Sequence, residues 1–311
     1  MFFKPTSQPP DVRRRRLPRV PHTRVFSWLC TFLVGLFLLS LVALFGWQSL
    51  PVWRDVGPAY VTGTLWFYRQ HTFGTLPMIY GSVVVSVVAL VLAVPVGVGA
   101  AICTAEILPP RLRLAVKIAV ELLAGIPSVV YGLLGILFLR DWVYRLLSPW
   151  DPLSGDTLLT AGILVGVMIL PTVLTLTDDA LRGVPALQRQ AARGLGLTCS
   201  ETVCSVVLPQ AWPGIVAAVL LALGRSLGEM IAVFLVVGRQ DNQWPAHLLS
   251  PQPLMQSGQT LASKLGGSET NIAYGDPLHW AAILGLGLLL LFLVGTITAM
   301  SFRFLRQDRH A

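Results

Sequence analysis

Three charged residues interrupt stretches of the sequence that are otherwise almost entirely apolar: Arg225, Glu229 and Glu121. Charges in such surroundings are energetically costly and usually mark a functional path. A guanidinium group suits a tetrahedral oxyanion, because its planar fork donates paired hydrogen bonds and stays protonated. We therefore expect Arg225 to meet a passing anion, with Glu229 and Glu121 on the same path.

The spacing of Arg225 and Glu229 also supports a purely structural interpretation. Four residues apart on one continuous helix, they would lie on the same face and could neutralise each other as an ion pair. The sequence supports the two interpretations equally. Replacing both charged residues distinguishes the two interpretations, because the double change restores neutrality without restoring an anion site.

A second unusual segment surrounds Pro127 and Ser128, inside the apolar stretch Ala115–Leu139. Proline lacks a backbone N–H and predicts a break or kink that leaves carbonyl groups in need of partners. Either packed helices or a water-lined cavity can supply those partners. Because glycine, proline and serine cluster here, we expect Pro127 and Ser128 to line the path.

The elements that position these residues are predicted to be membrane-spanning helices. The 311-residue chain is 54% hydrophobic and 12% charged, whereas about a quarter of a soluble domain is charged. An apolar run of about 20 residues crosses a bilayer as a helix. Six runs meet this requirement: Val25–Trp47, Met78–Cys103, Ala115–Leu139, Thr157–Leu176, Gly214–Val237 and His279–Phe302. The sequence therefore predicts an all-α, polytopic membrane protein whose first run is a retained span.

Lysine and arginine residues are distributed unevenly between the two sides of the predicted topology. With the N-terminus in the cytoplasm, the cytoplasmic segments hold sixteen of these residues and the opposite segments hold six. This bias satisfies the positive-inside rule and predicts that both termini are cytoplasmic. The net charge of +8 is thereby explained without nucleic acid as a partner.

The sequence contains no pattern typical of an enzyme or a metal site. The five histidines are scattered, no nucleophile stands beside a general base, and Cys199 and Cys204 lack further ligands for zinc. Of the three lysines, Lys4, Lys117 and Lys264, none follows the glycine-rich pattern of a phosphate-binding loop. We therefore expect no catalytic residue, no metal and no cofactor on this chain, so that any ATP is used by a partner subunit.

The segment 185–209 is the most polar long run between two predicted spans. Gly196 suits the end of a helix. Thr198 and Glu201 form a capping-box pattern that starts a second helix, and we expect Pro209 to end it. These signals predict two short helices joined by a tight corner, a description that an ordinary connecting loop also satisfies.

The same segment resembles a known motif, the EAA loop of ABC-importer permeases, which docks into a cleft of the ATPase subunit. Six residues carry the resemblance and are expected to couple the chain to an ATPase: Gln190, Ala191, Ala192, Gly196, Leu208 and Pro209. The usual glutamate of the family is Gln190 here, so contacts that need a carboxylate are in question at this position.

A resemblance over about Met78–Phe302 is more specific. It is carried by the runs FGTLPMIYGSVVVS (73–86), ELLAGIPSVVYG (121–132), ILPTV (169–173) and LALGRSLGEMIAV (221–233). Together these runs resemble the permeases of phosphate importers, the Pst system, and the pattern Gly228–Val233 is most similar to the PstC type. Permeases for sulfate, molybdate or phosphonate are the alternative within the ABC class; a secondary transporter or a channel-like protein is the alternative outside it.

The resemblance implies a type I ABC-importer permease fold with six transmembrane helices in a bacterial inner membrane. We expect a basic cytoplasmic tail (1–24), a first helix with its outer loop (25–77), a core of five helices (78–302) and a C-terminal cytoplasmic tail (303–311). The core contains the segment 185–209, called the coupling elbow below. The implied partners are a homologous PstA-type permease, a pair of PstB-type ATP-binding subunits, a PstS-type phosphate-binding protein and inorganic phosphate.

Overall fold

The computed structural model describes residues 21–150, 154–245 and 252–307. The expected tails at 1–24 and 303–311 are therefore described only in part, since residues 1–20 and 308–311 lie outside these ranges. Within the described ranges, residues 21–44 and the residues from 45 onward form two separate units. In the first unit, residues 21–44 begin a long apolar helix whose side chains are nearly all exposed from Arg24 onward, as expected of a span that faces lipid.

The described helices are, in chain order, α1 (Pro21–Asp55), α2 (Ala59–Thr62), α3 (Leu76–Ile102), α4 (Pro110–Ala124), α5 (Ser128–Leu134), α6 (Arg140–Leu147), α7 (Leu158–Gly183), α8 (Ala186–Gly194), α9 (Cys199–Thr202), α10 (Leu208–Leu227), α11 (Ile231–Val236), α12 (Leu261–Leu265), α13 (Glu269–Ala273) and α14 (Pro277–Gln307). Three π-helical turns extend or join them: Cys103–Ile107, Gly135–Leu139 and Val203–Val207. Two short antiparallel strands, β1 (Trp66–Phe67) and β2 (Thr72–Phe73), pair Trp66 with Phe73. Short 3₁₀ turns occupy Tyr68–Gln70, Ser148–Trp150 and Gln252–Met255.

The pair α3 and α7 forms the centre of the second unit, and α10 packs against both. Small residues make this possible. A Cβ added to Gly162 on α7 would lie 2.5 Å from Val88 Cγ1 on α3, and one added to Gly166 would lie 3.2 Å from the carbonyl oxygen of Ala89. Small residues let helix backbones approach closely in a membrane, where apolar burial does not drive helices together. The two helices therefore form the close-packed frame that carries the candidate site.

Five of the described helices are long and apolar enough to cross a membrane: Arg24–Asp55, Leu76–Ile107, Leu158–Gly183, Cys199–Leu227 and Pro277–Arg303. They overlap five of the six predicted runs. The sixth candidate is a bent pair, Pro110–Ala124 and Ser128–Trp150, whose axes differ by 88°. Counting this pair as one span gives the predicted six.

The third predicted span, Ala115–Leu139, is thus two helices, as the proline predicted. Pro127 causes the break, because it has no N–H and disfavours helical geometry at Ile126. Pro127 has no N–H to donate to the carbonyl oxygen of Leu123, which accepts instead from Ile126 N at 3.3 Å and from the hydroxyl of Tyr131 at 2.9 Å. A packed side chain supplies a partner for this carbonyl group.

The fifth predicted span, Gly214–Val237, is wrong at both ends. The helix α10 stops at Leu227, and residues 228–230 separate it from α11; glycine at position 228 is a poor helix former. At its other end, Pro209 does not stop a helix, since Cys199–Leu227 is continuous through the π-helical turn. Pro209 lies inside this continuous helix, directly after the π-helical turn Val203–Val207, a local adjustment of the kind that accommodates proline within spanning helices.

Candidate functional site

Arg225 lies in the last turn of α10, and its side chain is exposed. Its Nη1 atom donates to Thr172 Oγ1 at 3.3 Å. Thr172 is near the middle of the 26-residue helix α7, so Arg225 lies close to the middle of the membrane span. A charge at this depth is costly against lipid. The guanidinium group therefore has to face water or another protein chain within the membrane.

Glu229 and Arg225 have different partners. Glu229 Oε1 accepts a hydrogen bond from the backbone N–H of Ala232 at 3.5 Å, in the first turn of α11, where a carboxylate is favourable. The break at Gly228 removes the helical relation on which the predicted ion pair depends. No ion pair joins Glu229 to Arg225 in the described part of the chain. The geometry contradicts mutual neutralisation, and the pathway role of Arg225 stays a prediction.

Glu121, Pro127 and Ser128 surround the break between α4 and α5. Glu121 and Pro127 are exposed, and Ser128 is half-buried. Neither the carboxylate of Glu121 nor the hydroxyl of Ser128 has a side-chain hydrogen bond or ion pair within the described ranges. These polar groups are therefore free to face a path or a partner chain.

The breaks in the third and fifth spans are neighbours. A Cβ added to Gly132 on α5 would lie 2.5 Å from Leu235 Cδ1 and 3.3 Å from Ala232 Cα on α11. The structure therefore brings the candidate residues of both broken spans into one region of the molecule.

The coupling elbow has the tight corner that its sequence predicts. The helix α8 ends in a Schellman motif, in which Leu197 N donates to Ala192 O at 3.2 Å and Gly196 N donates to Arg193 O at 3.0 Å. Gly196 has a φ of 88°, the left-handed conformation that glycine adopts without strain. Two interactions with Glu201 at 2.8 Å and 3.3 Å then complete the capping box at Thr198.

The motif residues of the elbow differ in exposure. Gln190, Ala191, Gly196 and Pro209 are exposed, Leu208 is half-buried, and Ala192 is buried. Two large apolar side chains that the sequence analysis did not single out, Leu187 and Leu195, are 77% and 83% exposed. Neither leucine belongs to one of the five long apolar helices, so the exposed pair is a candidate protein-binding surface.

A buried ion pair that the sequence analysis missed ties the elbow to the helix core. Arg189 Nη1 on α8 lies 2.6 Å from Glu106 Oε1 in the π-helical end of α3, an ion pair without hydrogen-bond geometry at that oxygen. Their side chains are 18% and 4% exposed. Arg189 Nη2 also donates to the carbonyl oxygen of Leu181 in α7 at 2.5 Å. A glutamate at the end of a span, on the side rich in basic residues, is the sequence signal that indicates such a pair.

A second buried network, also missed from the sequence, lies near the start of α3 and α14. Lys264 is 2% exposed; it contacts Asp241 at 2.6 Å and also contacts Glu269. Glu269 accepts from Trp66 Nε1 at 2.6 Å and lies 3.0 Å from His279 Nε2. These contacts join β1, α12, α13 and α14. We call the assembly of residues 56–75 and 238–278 the outer cap, of which 246–251 lie outside the described residues.

The network shifts the titration of its two carboxyl groups in opposite directions. Burial alone would raise the pKa of Glu269, but hydrogen bonds from His279, Lys264 and Trp66, with the charge of Lys264, lower it from 4.5 to about 2. Burial raises the pKa of Asp241, and Lys264 offsets only part of this effect. Glu269 is therefore the carboxyl group that the network stabilises in its ionised form.

Residues 93–307 match the protein family described as "Binding-protein-dependent transport system inner membrane component". A phosphate transport system permease protein PstC of Mesorhizobium japonicum is 34% identical over 303 residues, which cover 92% of this chain and 89% of that protein. The PstC 1 protein of Mycobacterium tuberculosis is 37% identical over 243 residues, covering 73% of this chain and 71% of that protein.

Two solved structures share the fold. One is a bacterial ABC transporter involved in the import of alginate, with a TM-score of 0.59 at 16% identity, covering 90% of this chain and 95% of that one. The other is an inward-facing MetNI methionine ABC transporter, with a TM-score of 0.54 at 18% identity, covering 75% of this chain and 94% of that one. The fold is that of a type I ABC-importer permease, as predicted.

Proposed function

We infer the function from one premise: the chain belongs to the family of binding-protein-dependent transport system inner membrane components. We propose that it is the PstC-type permease subunit of an ATP-driven phosphate importer and forms half of the pore. The observation that carries this proposal is that relatives similar over most of both chains are named phosphate transport system permease proteins.

Arg225 is the proposed anion ligand of this half of the pore. Its exposed guanidinium group near the middle of the span is accounted for if a second, PstA-type permease encloses a water-filled path against it. Glu121, Pro127, Ser128 and Glu229 border the same path. The carboxylates of Glu121 and Glu229 repel an anion. The anion would therefore bind at Arg225 and not at the positions on either side of Arg225.

The coupling elbow is the proposed docking site for one of two PstB-type ATP-binding subunits. The exposed Leu187 and Leu195 are then covered by the ATPase, with Gln190 and Ala191 on the same surface. This places the elbow and both chain termini in the cytoplasm, in agreement with the distribution of lysine and arginine. The outer cap then faces a PstS-type phosphate-binding protein on the other side of a bacterial inner membrane.

Purification of the tagged chain in mild detergent tests the proposal. We expect a Walker-type ATPase and a second permease to co-purify, and the reconstituted complex to take up phosphate only with ATP and the binding protein. Competition by excess sulfate, molybdate or phosphonate tests the alternative substrates. Isolation of a lone homo-oligomer that transports without an ATPase would refute the proposal.

A further inference from the structure

We propose that the ion pair between Glu106 and Arg189 is the joint through which movement of the coupling elbow reaches the helix core. This inference rests on the proposed transport function and adds to it a positioning residue outside the EAA-like motif. Arg189 precedes Gln190, which is exposed, but its own side chain turns towards the ends of α3 and α7.

Few other contacts hold α8 to the core. Ala192 is the single buried residue of this nine-residue helix, and α8 packs mainly against α9 and the π-helical turn Val203–Val207. Arg189 instead reaches α3 through Glu106 at 2.6 Å and α7 through the carbonyl oxygen of Leu181 at 2.5 Å. One side chain of the elbow therefore joins the ends of both helices of the central frame.

The chemistry of this position favours an arginine. The last carbonyl groups of a helix lack partners and carry partial negative charge, so they attract a cation. Arg113 of α4 makes a similar contact, donating from Nη2 to the carbonyl oxygen of Ala105 at 3.0 Å. Arg189 reaches the Glu106 carboxylate through Nη1 and the Leu181 carbonyl oxygen through Nη2. A lysine has one ammonium nitrogen and does not reproduce these two separate arms of a planar fork.

The helix α7 connects this joint to the candidate anion site. Leu181 and Thr172 are nine residues apart on α7, which corresponds to about 14 Å along the helix axis. Thr172 is the residue to which Arg225 donates. A movement of the elbow that displaces the end of α7 would therefore change the surroundings of Arg225, without contact between the ATPase and the anion.

The test uses the full complex in liposomes, with binding protein, and measures phosphate taken up per ATP hydrolysed. In the variants Arg189→Gln and Glu106→Gln we expect the ATPase to stay bound and ATP hydrolysis to continue. The ratio of phosphate taken up to ATP hydrolysed is expected to fall by about tenfold or more, within the usual range of coupling effects. Arg111→Gln is the matched control, because Arg111 is an exposed arginine of α4 that has no ion pair within the described residues. Its ratio is expected to match that of the unmodified complex.

Two further variants keep the test decisive if a single variant fails to accumulate. The double variant Glu106→Gln/Arg189→Gln leaves no unpaired buried charge, and we expect it to accumulate but remain uncoupled. Arg189→Lys keeps the charges and is expected to lose part of the ratio. A normal ratio in these variants overturns the inference and reduces the pair to a fold-stabilising contact.

The proposed function and the joint fail in different ways. An unmodified complex that takes up no phosphate refutes the proposed function, whatever the variants do. An unmodified complex that transports phosphate, together with variants of equal membrane abundance and equal uptake per ATP, refutes only the joint.

Discussion

At the scale of single residues, Arg225 is the side chain proposed to bind the anion. A guanidinium group has five N–H donors, and within the described residues Arg225 uses one side-chain hydrogen bond, to Thr172. Glu229, the partner of Arg225 in the alternative ion-pair interpretation, is engaged with the start of α11. Most of the donors of Arg225 are thus left for a ligand or for a partner chain.

Substitutions at Arg225 test this reading directly. Arg225→Gln is expected to abolish phosphate uptake, and adding Glu229→Gln is not expected to restore it, because no ion pair has been broken. Arg225→Lys keeps the charge but loses the fork and should transport poorly. Uptake and membrane abundance are measured together, with substitution of the exposed Arg145 (Arg145→Gln) as control. Full recovery of uptake in the double variant Arg225→Gln/Glu229→Gln would show that the two residues have only a structural role.

At the scale of elements, the elbow depends on one backbone conformation. Gly194 and Gly196 both lie in open space, with no heavy atom within 4 Å of an added Cβ, but only Gly196 has a positive φ, of 88°. A side chain at Gly196 therefore strains the backbone without any steric contact, whereas one at Gly194 does not. Substituting the two glycines separately therefore distinguishes the effect of the backbone conformation from the effect of an added side chain on the surface.

We expect Gly196→Val to cost about 1 kcal/mol or more locally and to misalign the docking surface. The complex should assemble, while stimulation of ATP hydrolysis by the loaded binding protein and phosphate uptake both fall. Gly194→Val adds the same side chain two residues away and is expected to retain most activity. Equal activity of the two variants would show that the left-handed corner is not needed for coupling.

At the scale of the whole molecule, buried charges lie at both ends of the central helix frame. Glu106 and Arg189 join the elbow to the ends of α3 and α7. Lys264, Asp241 and Glu269 join elements of the outer cap, in which Leu261 N of α12 donates to Ser82 Oγ, near the beginning of α3, at 2.9 Å. Removing one partner of a buried charged pair strongly destabilises a protein. Each network therefore forms only when all the elements that contribute to it are in place. One network thus ties the elbow to the frame, and the other holds the outer cap together.

The outer network predicts a dependence of stability on pH. The pKa of Glu269 is depressed from 4.5 to about 2, so its contribution, up to about 3 kcal/mol, is fully present above pH 4.5 and is lost as pH falls towards 2. Glu269→Gln lacks this contribution at every pH. The difference in melting temperature between the two proteins in detergent should therefore shrink between about pH 4.5 and about pH 2. A constant difference across this range would contradict the assignment.

The sequence by itself determined the membrane class, the six apolar runs and the local shape of the elbow. These features follow from short-range rules. The apolar composition indicates a lipid environment, and the length of each apolar run indicates a membrane span. Gly196, Thr198 and Glu201 determine the corner through hydrogen bonds with backbone groups a few residues away. Pro127 likewise predicted the break in the third span, because the missing N–H acts on its own helix.

Only the tertiary structure decided which charged groups meet. The alternative pairing of Arg225 with Glu229 assumed a helix continuous through Gly228, and helix continuity depends on packing and capping as well as on apolar composition. The contacts of Arg189 with Glu106 and of Lys264 with Asp241 and Glu269 join residues distant in sequence or on different helices. Such pairs form because folding brings charges into a medium of low dielectric constant, where each needs a partner. No local pattern specifies which partner that is.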